Sequence, residues 1–269
     1  EMQTNDGYYS SVFSGASRAA SEAGWHILLC PQNAENPPGI PDLVQDQKVD
    51  GLLVEGPFSD DWLALLATQI PCAFINQLHR SFDAIFSTPD WERAGYELAK
   101  HAWKLGHRHF AFFRHDFPSE NLIHVHRGEM GALEALGGAV VHSSLSRPWH
   151  PLPENTDEVM DAFVAEWLAA DPRPTVILTS DYYGARITEA FMRRGVSVPD
   201  DVSIIGRENR IFGQLNRPPL TTYAYPVRQI GYAATQMLIQ CLESGTFTPA
   251  HIMFQGSLIE RASVKRLTP

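Results

Sequence analysis

The sequence predicts an α/β protein in which helices cover both faces of parallel sheets. Segments of helical period alternate along the chain with short apolar runs rich in β-favouring residues. The longest apolar runs, such as "GLLVEG" and "FAFF", have the length of strands. About ten such runs would make one large open sheet, so two smaller sheets in two lobes are expected.

The first part of the chain begins with a helix over 10–23, where Val12, Ala16 and Ala20 share one face and Gly24 ends the helix. A second helix is predicted over 92–105, before Gly106. The strands predicted around these helices are 25–30, 49–54, 72–75 and 83–86.

The second part of the chain continues the same alternation. The predicted strands are 109–113, 139–141, 175–179, 202–205, 252–254 and 257–259. The predicted helices are 127–136, 156–169, 183–194 and 227–243.

Composition limits the class of protein. Apolar residues make up 44% and charged residues 19% of the chain, which is typical of a soluble globular protein, and no apolar run is long enough to span a membrane. The net charge of −10 disfavours a nucleic-acid-binding surface on this chain. The three cysteines lie in apolar contexts and no signal peptide is visible, which favours the cytoplasm.

Polar side chains follow several of the predicted strands. Asn76 follows "AFI", Arg114 follows "FAFF", Asp181 follows "VILTS", and Arg207 and Glu208 follow "VSIIG". Ligands of open α/β sheets bind outside the carboxyl ends of the strands, so these residues predict a pocket for a small polar molecule. Asp181 is equally compatible with capping the next helix, whereas no helix of clear period follows Glu208 at once.

Six motifs give the chain a resemblance to a known family: "VDGLLV", "IPCAFIN", "GHRHFAFF", "VPDDVSIIG", "PPLTT" and "GSLIERASV". In this order and spacing the sequence resembles the effector-binding core of the LacI/GalR family of bacterial transcription regulators. The resemblance implies two Rossmann-like lobes joined by three crossovers, with the ligand in the cleft between them (periplasmic binding protein type I). The N-terminal lobe would comprise 1–87 plus 226–254, and the C-terminal lobe 88–225 plus 255–264.

The resemblance also implies partners. Family members carry a small helix-turn-helix domain before this core, so operator DNA would be bound through an N-terminal domain that is absent here. The chain starts with Glu1 and not with Met, which is compatible with an upstream segment. The implied function is an effector-sensing domain of a repressor, acting as a homodimer, with no membrane partner. The alternative is a periplasmic sugar-binding protein of an ABC transporter.

By resemblance, the effector would be a sugar-like or nucleoside-like metabolite. The residues implied to contact it are Tyr8, Tyr9, Asn76, Asp90, Trp149, Asp181 and Glu208. The sequence departs from the family pattern at two positions that affect the charge around the effector. Arg207 stands where the family usually has an aromatic residue, and Val125 replaces a common arginine. Either Arg207 or Arg127 takes over the role of that arginine, or the ligand differs from the usual sugars.

Other chemistry has little support in the sequence. The eleven histidines form no metal-binding motif, and no P-loop, nucleophile elbow or dinucleotide-binding glycine motif occurs. We therefore expect no metal, no cofactor and no enzymatic activity.

Overall fold

The computed structural model describes residues 7–31, 39–56, 58–78, 82–114, 120–141 and 156–267. The helices are α1 (Tyr8–Glu22), α2 (Asp42–Gln45), α3 (Asp60–Gln69), α4 (Trp91–Lys104), α5 (Glu120–Ala135), α6 (Thr156–Ala169), α7 (Asp181–Arg193), α8 (Ile211–Leu215) and α9 (Val227–Ser244). The strands are β1 (Leu52–Glu55), β2 (Cys72–Ile75), β3 (Ile85–Pro89), β4 (His109–Phe112), β5 (Val140–Val141), β6 (Val176–Leu178), β7 (Ser203–Arg207), β8 (Thr221–Ala224), β9 (Ala250–Phe254) and β10 (Ser257–Ile259).

The chain forms two compact units, each with its own sheet. Unit 1 comprises Glu1–Asp90 and Pro226–Gln255, and unit 2 comprises Trp91–Tyr225 and Gly256–Pro269. The chain therefore passes three times from one unit to the other. The predicted α/β fold with parallel sheets is confirmed.

Unit 1 contains a four-stranded parallel sheet in the order β1-β2-β3-β9. Alternate residues of β2 enter different apolar clusters: Phe74 packs with residues of α3, and Ile75 packs with residues of α1 and α9. Both faces of this sheet are thus covered by helices. Glycines allow α1 and α9 to approach closely, since a Cβ on Gly15 would lie 1.9 Å from the backbone oxygen of Arg228.

Unit 2 contains a six-stranded sheet in the order β10-β8-β7-β6-β4-β5, parallel except for the antiparallel pair of β10 and β8. Its core is a buried cluster around Phe113, Phe163, Ile177 and Phe191, drawn from the sheet, α6 and α7. On α4 and α5, a Cβ on Gly128 would lie 1.9 Å from the backbone oxygen of Glu92. The same close helix pairing therefore occurs in both units.

The strand predicted over 25–30 is wrong. Residues 25–30 carry no strand, and Leu28 and Leu29 are 64% and 77% exposed. A strand needs a hydrogen-bonded neighbour, and β1, the edge strand of unit 1, pairs only with β2 among the described residues. The apolar composition of this segment suits a sheet, but no described strand pairs with it.

The structure also contains elements that the sequence pattern did not predict. These are α2, α3, α8 and β8, and α5 begins at Glu120 and not near 127. No helix of clear period follows Glu208 at once, and the short helix α8 starts only at Ile211. Five residues are too few for a helical period to show in the sequence.

Candidate functional site

The sheet of unit 2 brings polar residues to the carboxyl ends of three neighbouring strands. β4, β6 and β7 lie side by side and parallel, so their carboxyl ends share one edge. Arg114 follows β4, Asp181 follows β6, Arg207 ends β7 and Glu208 comes next. This edge is where open α/β sheets bind their ligands.

Arg114 is paired at this edge with Glu129 of α5. The Arg114 guanidinium donates a hydrogen bond to Glu129 Oε2, and the two residues are only 5% and 1% exposed. Burial lowers the pKa of Arg114, Glu129 opposes this effect, and the positive charge of Arg207 adds to it. Arg114 Nε and Glu129 Oε1 have no hydrogen-bond partner among the described residues.

Glu208 lies between two arginines. Its carboxylate is 3.9 Å from Arg207 Nε and 3.4 Å from a terminal guanidinium nitrogen of Arg210. Burial raises the pKa of Glu208, and the positive charge of Arg207 opposes the rise. Arg207 itself is buried, whereas Glu208 and Arg210 are partly exposed.

Tyr225 is an uncharged residue that follows β8, the parallel neighbour of β7, and so lies at the same edge of the sheet. Its hydroxyl is buried and has no hydrogen-bond partner among the described residues. Burial raises the pKa of Tyr225 well above the usual value, an effect that Arg207 opposes and that Glu208 and Glu129 increase. We call Arg114, Glu129, Arg207, Glu208 and Tyr225 the carboxyl-end cluster.

The backbone at Glu208 has an unusual conformation. Glu208 and Asn209 have φ angles of 93° and 54°, in the left-handed region that residues other than glycine seldom adopt. The Glu208 N–H donates to the Tyr223 carbonyl at 2.7 Å, which ties this turn to β8. Strained backbone of this kind concentrates at functional sites.

Asp181 supports the same loop from α7. Ser180, not Asp181, is the N-cap of α7. The Asp181 carboxyl group is fully buried and accepts hydrogen bonds from the Arg210 N–H at 2.6 Å and the Thr222 hydroxyl at 2.7 Å. Burial raises its pKa to about 8 against the opposing effect of the Thr222 bond. In this structure Asp181 contacts the loop, and its predicted contact with a ligand stays a prediction.

Unit 1 also places polar residues at the carboxyl ends of its strands. Asn76 follows β2, has a φ of 57° and donates from Nδ2 to Glu55 Oε1 at 3.1 Å. Burial raises the pKa of Glu55, at the end of β1, to about 7, and the bond from Asn76 opposes the rise. The side chain of Gln77 donates to the Gly56 carbonyl.

The other predicted ligand residues of unit 1 are Tyr8, Tyr9 and Asp90. Tyr8 and Tyr9 start α1, are half-buried, and have ring centroids 5.7 Å apart in an edge-to-face arrangement. The backbone N–H of Asp90 donates a hydrogen bond to the Phe254 carbonyl oxygen at 2.8 Å, and Asp90 is partly exposed. Trp149 lies outside the described residues.

The three positions that the sequence comparison relates to the family's usual arginine differ in their surroundings. Val125 is fully buried where α5 meets α4. Arg127 is 55% exposed, lies 3.7 Å from Glu92 and forms a hydrogen bond with His124. Arg207, in contrast, lies in the carboxyl-end cluster.

Sequence reasoning missed Glu55, Glu129 and Tyr225. Glu55 directly follows "LLV", so the position after a strand could have identified it. Glu129 lies in the middle of a helix and Tyr225 follows a strand that was not predicted, so only the three-dimensional structure connects them with Arg114 and Glu208.

Two further searches cover only the described part of the chain. It contains no group of three or more His, Cys, Asp or Glu side chains arranged to bind a metal ion. None of its helices combines the length and the apolar character needed to cross a bilayer.

An open depression of about 440 Å³ lies in unit 1. It is lined by α1, including Phe13 and Ser17, and by the segment from Gly24 to Ile27. Among the described residues, none of the predicted ligand residues lines it, and its lining includes no carboxylate or guanidinium group.

Comparison with known proteins gives a family match over most of unit 2. The periplasmic binding protein-like domain matches residues 99–264. The HTH-type transcriptional regulator DegA of Bacillus subtilis is 29% identical over 83% of this chain and 67% of its own length. The arabinose metabolism transcriptional repressor of Geobacillus stearothermophilus is 25% identical over 98% of this chain and 75% of its own length.

A solved structure shows the same fold. The LacI family transcriptional regulator of Enterococcus faecium, with bound ribose, superposes with a TM-score of 0.79 at 19% identity. The match covers 99% of this chain and 97% of that chain.

Proposed function

Since the chain belongs to the periplasmic binding protein-like domain family, as the effector-binding core of a LacI/GalR-type transcriptional regulator, we propose that it senses a small, polar, sugar-like metabolite. The effector would bind at the carboxyl-end cluster of unit 2, with Glu208 as its main hydrogen-bond acceptor. We propose no catalytic activity and place the protein in the cytoplasm, where operator DNA is found.

The observation that carries the proposal is the set of buried polar atoms without partners in this cluster. Arg114 Nε, Glu129 Oε1 and the Tyr225 hydroxyl are such atoms among the described residues. A buried donor or acceptor left unsatisfied costs about 1–3 kcal/mol, so native proteins seldom retain several together without a reason. Hydroxyl groups of a bound metabolite would satisfy them.

The left-handed backbone at Glu208 and Asn209 supports the same site. The turn presents the partly exposed carboxylate of Glu208 beside the buried Arg207. Carboxylates accept paired hydrogen bonds from neighbouring sugar hydroxyls. Asn76 with Glu55 in unit 1, and Tyr8, Tyr9, Asp90 and Trp149, stay candidates for contact with the effector, each to be tested by its own variant.

The DNA partner of the proposal is an operator, bound through a helix-turn-helix domain outside this sequence. The two relatives are a transcriptional regulator and a repressor. Their names favour this function over that of a periplasmic sugar-binding protein for a transporter. A repressor of this kind acts as a dimer on a two-fold operator, so we propose a homodimer.

The test begins with a thermal-shift screen of sugars, polyols and nucleosides. A ligand at a hundred times its dissociation constant stabilises the fold by about 2.7 kcal/mol, or several degrees. Binding of the best compound is then measured for Glu208→Ala and for Glu134→Ala, a control at an exposed position of α5. Because a hydrogen bond to a charged group contributes about 1.5–3 kcal/mol, Glu208→Ala should weaken binding roughly tenfold to a hundredfold. Equal binding by both variants would place the site elsewhere.

A further inference from the structure

We infer that the buried ion pair of Arg114 and Glu129 determines the specificity of the effector site by binding a vicinal diol, that is, two hydroxyl groups on neighbouring carbons of one molecule. The inference rests on the proposed function and specifies the chemical group that the effector presents to this part of the carboxyl-end cluster. It follows from the hydrogen bond that joins the pair and from the atoms of the pair that this bond leaves unsatisfied.

The ion pair is joined by one hydrogen bond. Arg114 Nη2 donates to Glu129 Oε2, whereas Arg114 Nε and Glu129 Oε1 are buried and have no hydrogen-bond partner among the described residues. A guanidinium and a carboxylate often form two parallel hydrogen bonds, which can use all four of these atoms. In the part of the chain that the structure describes, the pair therefore leaves one donor and one acceptor unsatisfied, a cost that a purely structural ion pair would avoid.

The two unsatisfied atoms need different hydrogen-bonding partners. Arg114 Nε carries an N–H and needs an acceptor, whereas Glu129 Oε1 is a carboxylate oxygen and needs a donor. Because the two groups are already joined by a hydrogen bond, neighbouring hydroxyls of one molecule can reach both atoms. One hydroxyl of a diol would accept from Arg114 Nε–H and the other would donate to Glu129 Oε1. A ligand carboxylate offers only acceptors and an ammonium group only donors, so neither satisfies both atoms.

Both side chains are held in place by their surroundings. The Arg114 guanidinium lies over the ring of Phe112, with 4.7 Å between its central carbon and the ring centroid. Glu129 follows Gly128, where the helices approach so closely that a Cβ would lie 1.9 Å from a backbone oxygen of α4. His126 Nδ1 lies 3.5 Å from Glu129 Oε2, the oxygen that already accepts from Arg114, so Oε1 still lacks a partner among the described residues. A donor and an acceptor fixed in this way can bind a ligand with little loss of conformational entropy.

The pair lies in a part of the sheet where ligands of this fold class bind. Arg114 follows the carboxyl end of β4, and Glu129 lies on α5, the next helix along the chain. Both residues are buried, so contact with a ligand requires a local rearrangement around them. Hydrogen bonds are also stronger where water is excluded, and a ligand that lacks one of the two hydroxyls should therefore bind much more weakly.

The experiment measures affinities by titration calorimetry for sugars and for the same sugars without one hydroxyl. The probes are ribose with its 2-deoxy and 3-deoxy forms, and glucose and galactose with their 2-deoxy and 4-deoxy forms. We expect one sugar to bind and at least one of its deoxy forms to bind roughly tenfold to a hundredfold more weakly.

Two variants test whether this discrimination comes from the ion pair. Arg114→Lys keeps the positive charge opposite Glu129 but removes the Nε–H, and Glu129→Gln replaces the carboxylate by an amide of the same shape. For at least one deoxy position, both variants should lose most of the discrimination between the sugar and its deoxy form. Arg194→Lys and Glu134→Gln make the same changes at exposed positions and should discriminate like the parent protein.

The outcomes separate this inference from the proposed function. If the parent protein binds a sugar and both variants discriminate against every deoxy form as strongly as the parent does, the diol inference is overturned and the proposed function stands. Equal binding of a sugar and all its deoxy forms by the parent protein overturns it in the same way. If one variant does not fold, the other decides. If the parent protein binds none of the sugars, the proposed function fails and this inference fails with it.

Discussion

The carboxyl group of Asp181 accepts a hydrogen bond from the backbone N–H of Arg210 at 2.6 Å, which links the first turn of α7 to the loop that carries Glu208. Its second oxygen accepts from Thr222 of β8 at 2.7 Å. Asp181 thereby connects three elements around the strained turn. Gly206 and Gly213 leave the space that the carboxyl group occupies.

Asp181→Asn is expected to flatten the pH dependence of stability between pH 3.8 and about 8, the ordinary and the raised pKa of this carboxyl group. The folded state keeps it protonated in this range while the unfolded chain ionises it. The contribution of the Asp181 carboxyl group to the free energy of unfolding is therefore complete at the acidic end, and it is lost as the pH rises to about 8. The free energy of unfolding of the parent minus that of the variant should fall by up to about 1.4 kcal/mol per pH unit.

Urea unfolding from about pH 5 to about pH 9 measures this difference. Asp200→Asn, at an exposed position, serves as the control and should keep the slope of the parent protein. If the free energy of unfolding of the parent protein and that of Asp181→Asn change with pH in parallel, the prediction is contradicted. Asp181 would then be ionised in the folded state.

Gly206→Ala is expected to destabilise the protein. A Cβ at this position would lie 1.9 Å from Asp181 Oδ1, so the carboxyl group or β7 must shift. Overpacking of this kind typically costs about 1–3 kcal/mol. Gly131→Ala is the matched control, because nothing lies within 4 Å of its Cβ and it is inside α5. That control should gain about 0.5–1 kcal/mol in the same unfolding experiment. A Gly206→Ala variant as stable as the parent protein would mean that the contact with Asp181 is dispensable.

The order of helices and strands could be predicted because its signals are local. Apolar periodicity and glycines at helix ends located α1, α4, α6 and α9 to within a few residues. The segment 25–30 has the same local signals, yet forms no strand, because pairing depends on a neighbour that the local pattern does not specify.

The candidate site could be predicted only in part. The residues after the strands, Arg114, Asp181 and Glu208, were visible in the sequence because parallel strands end at one edge. Glu129 and Tyr225 were not, since their proximity to Arg114 and Glu208 depends on how α5 and β8 pack. The use of both Asp181 oxygens by Arg210 and Thr222 is likewise a tertiary property.

The 269-residue chain by itself is not expected to bind duplex DNA specifically, with or without effector. Its net charge of −10 opposes contact with phosphates, which supply most of the affinity of DNA-binding proteins. A mobility-shift assay at low salt with fragments from near its own gene measures this. Fusing a helix-turn-helix domain to the chain provides the positive control. Specific nanomolar binding by the chain alone would contradict the assignment of DNA binding to another domain.

The chain is expected to form a homodimer in which α1 contributes to the interface. Phe13 of α1 is 45% exposed beside the open depression, and large apolar residues at interfaces often dominate binding. Light scattering at high micromolar concentration should give twice the chain mass of 30.0 kDa. Phe13→Glu should weaken the dimer more than tenfold, because it would bury an unpaired charge. Leu65→Glu changes a similarly exposed residue, at 42%, on α3 and serves as the control. A parent protein that stays monomeric would contradict the dimer, and equal weakening by both variants would remove α1 from the proposed interface.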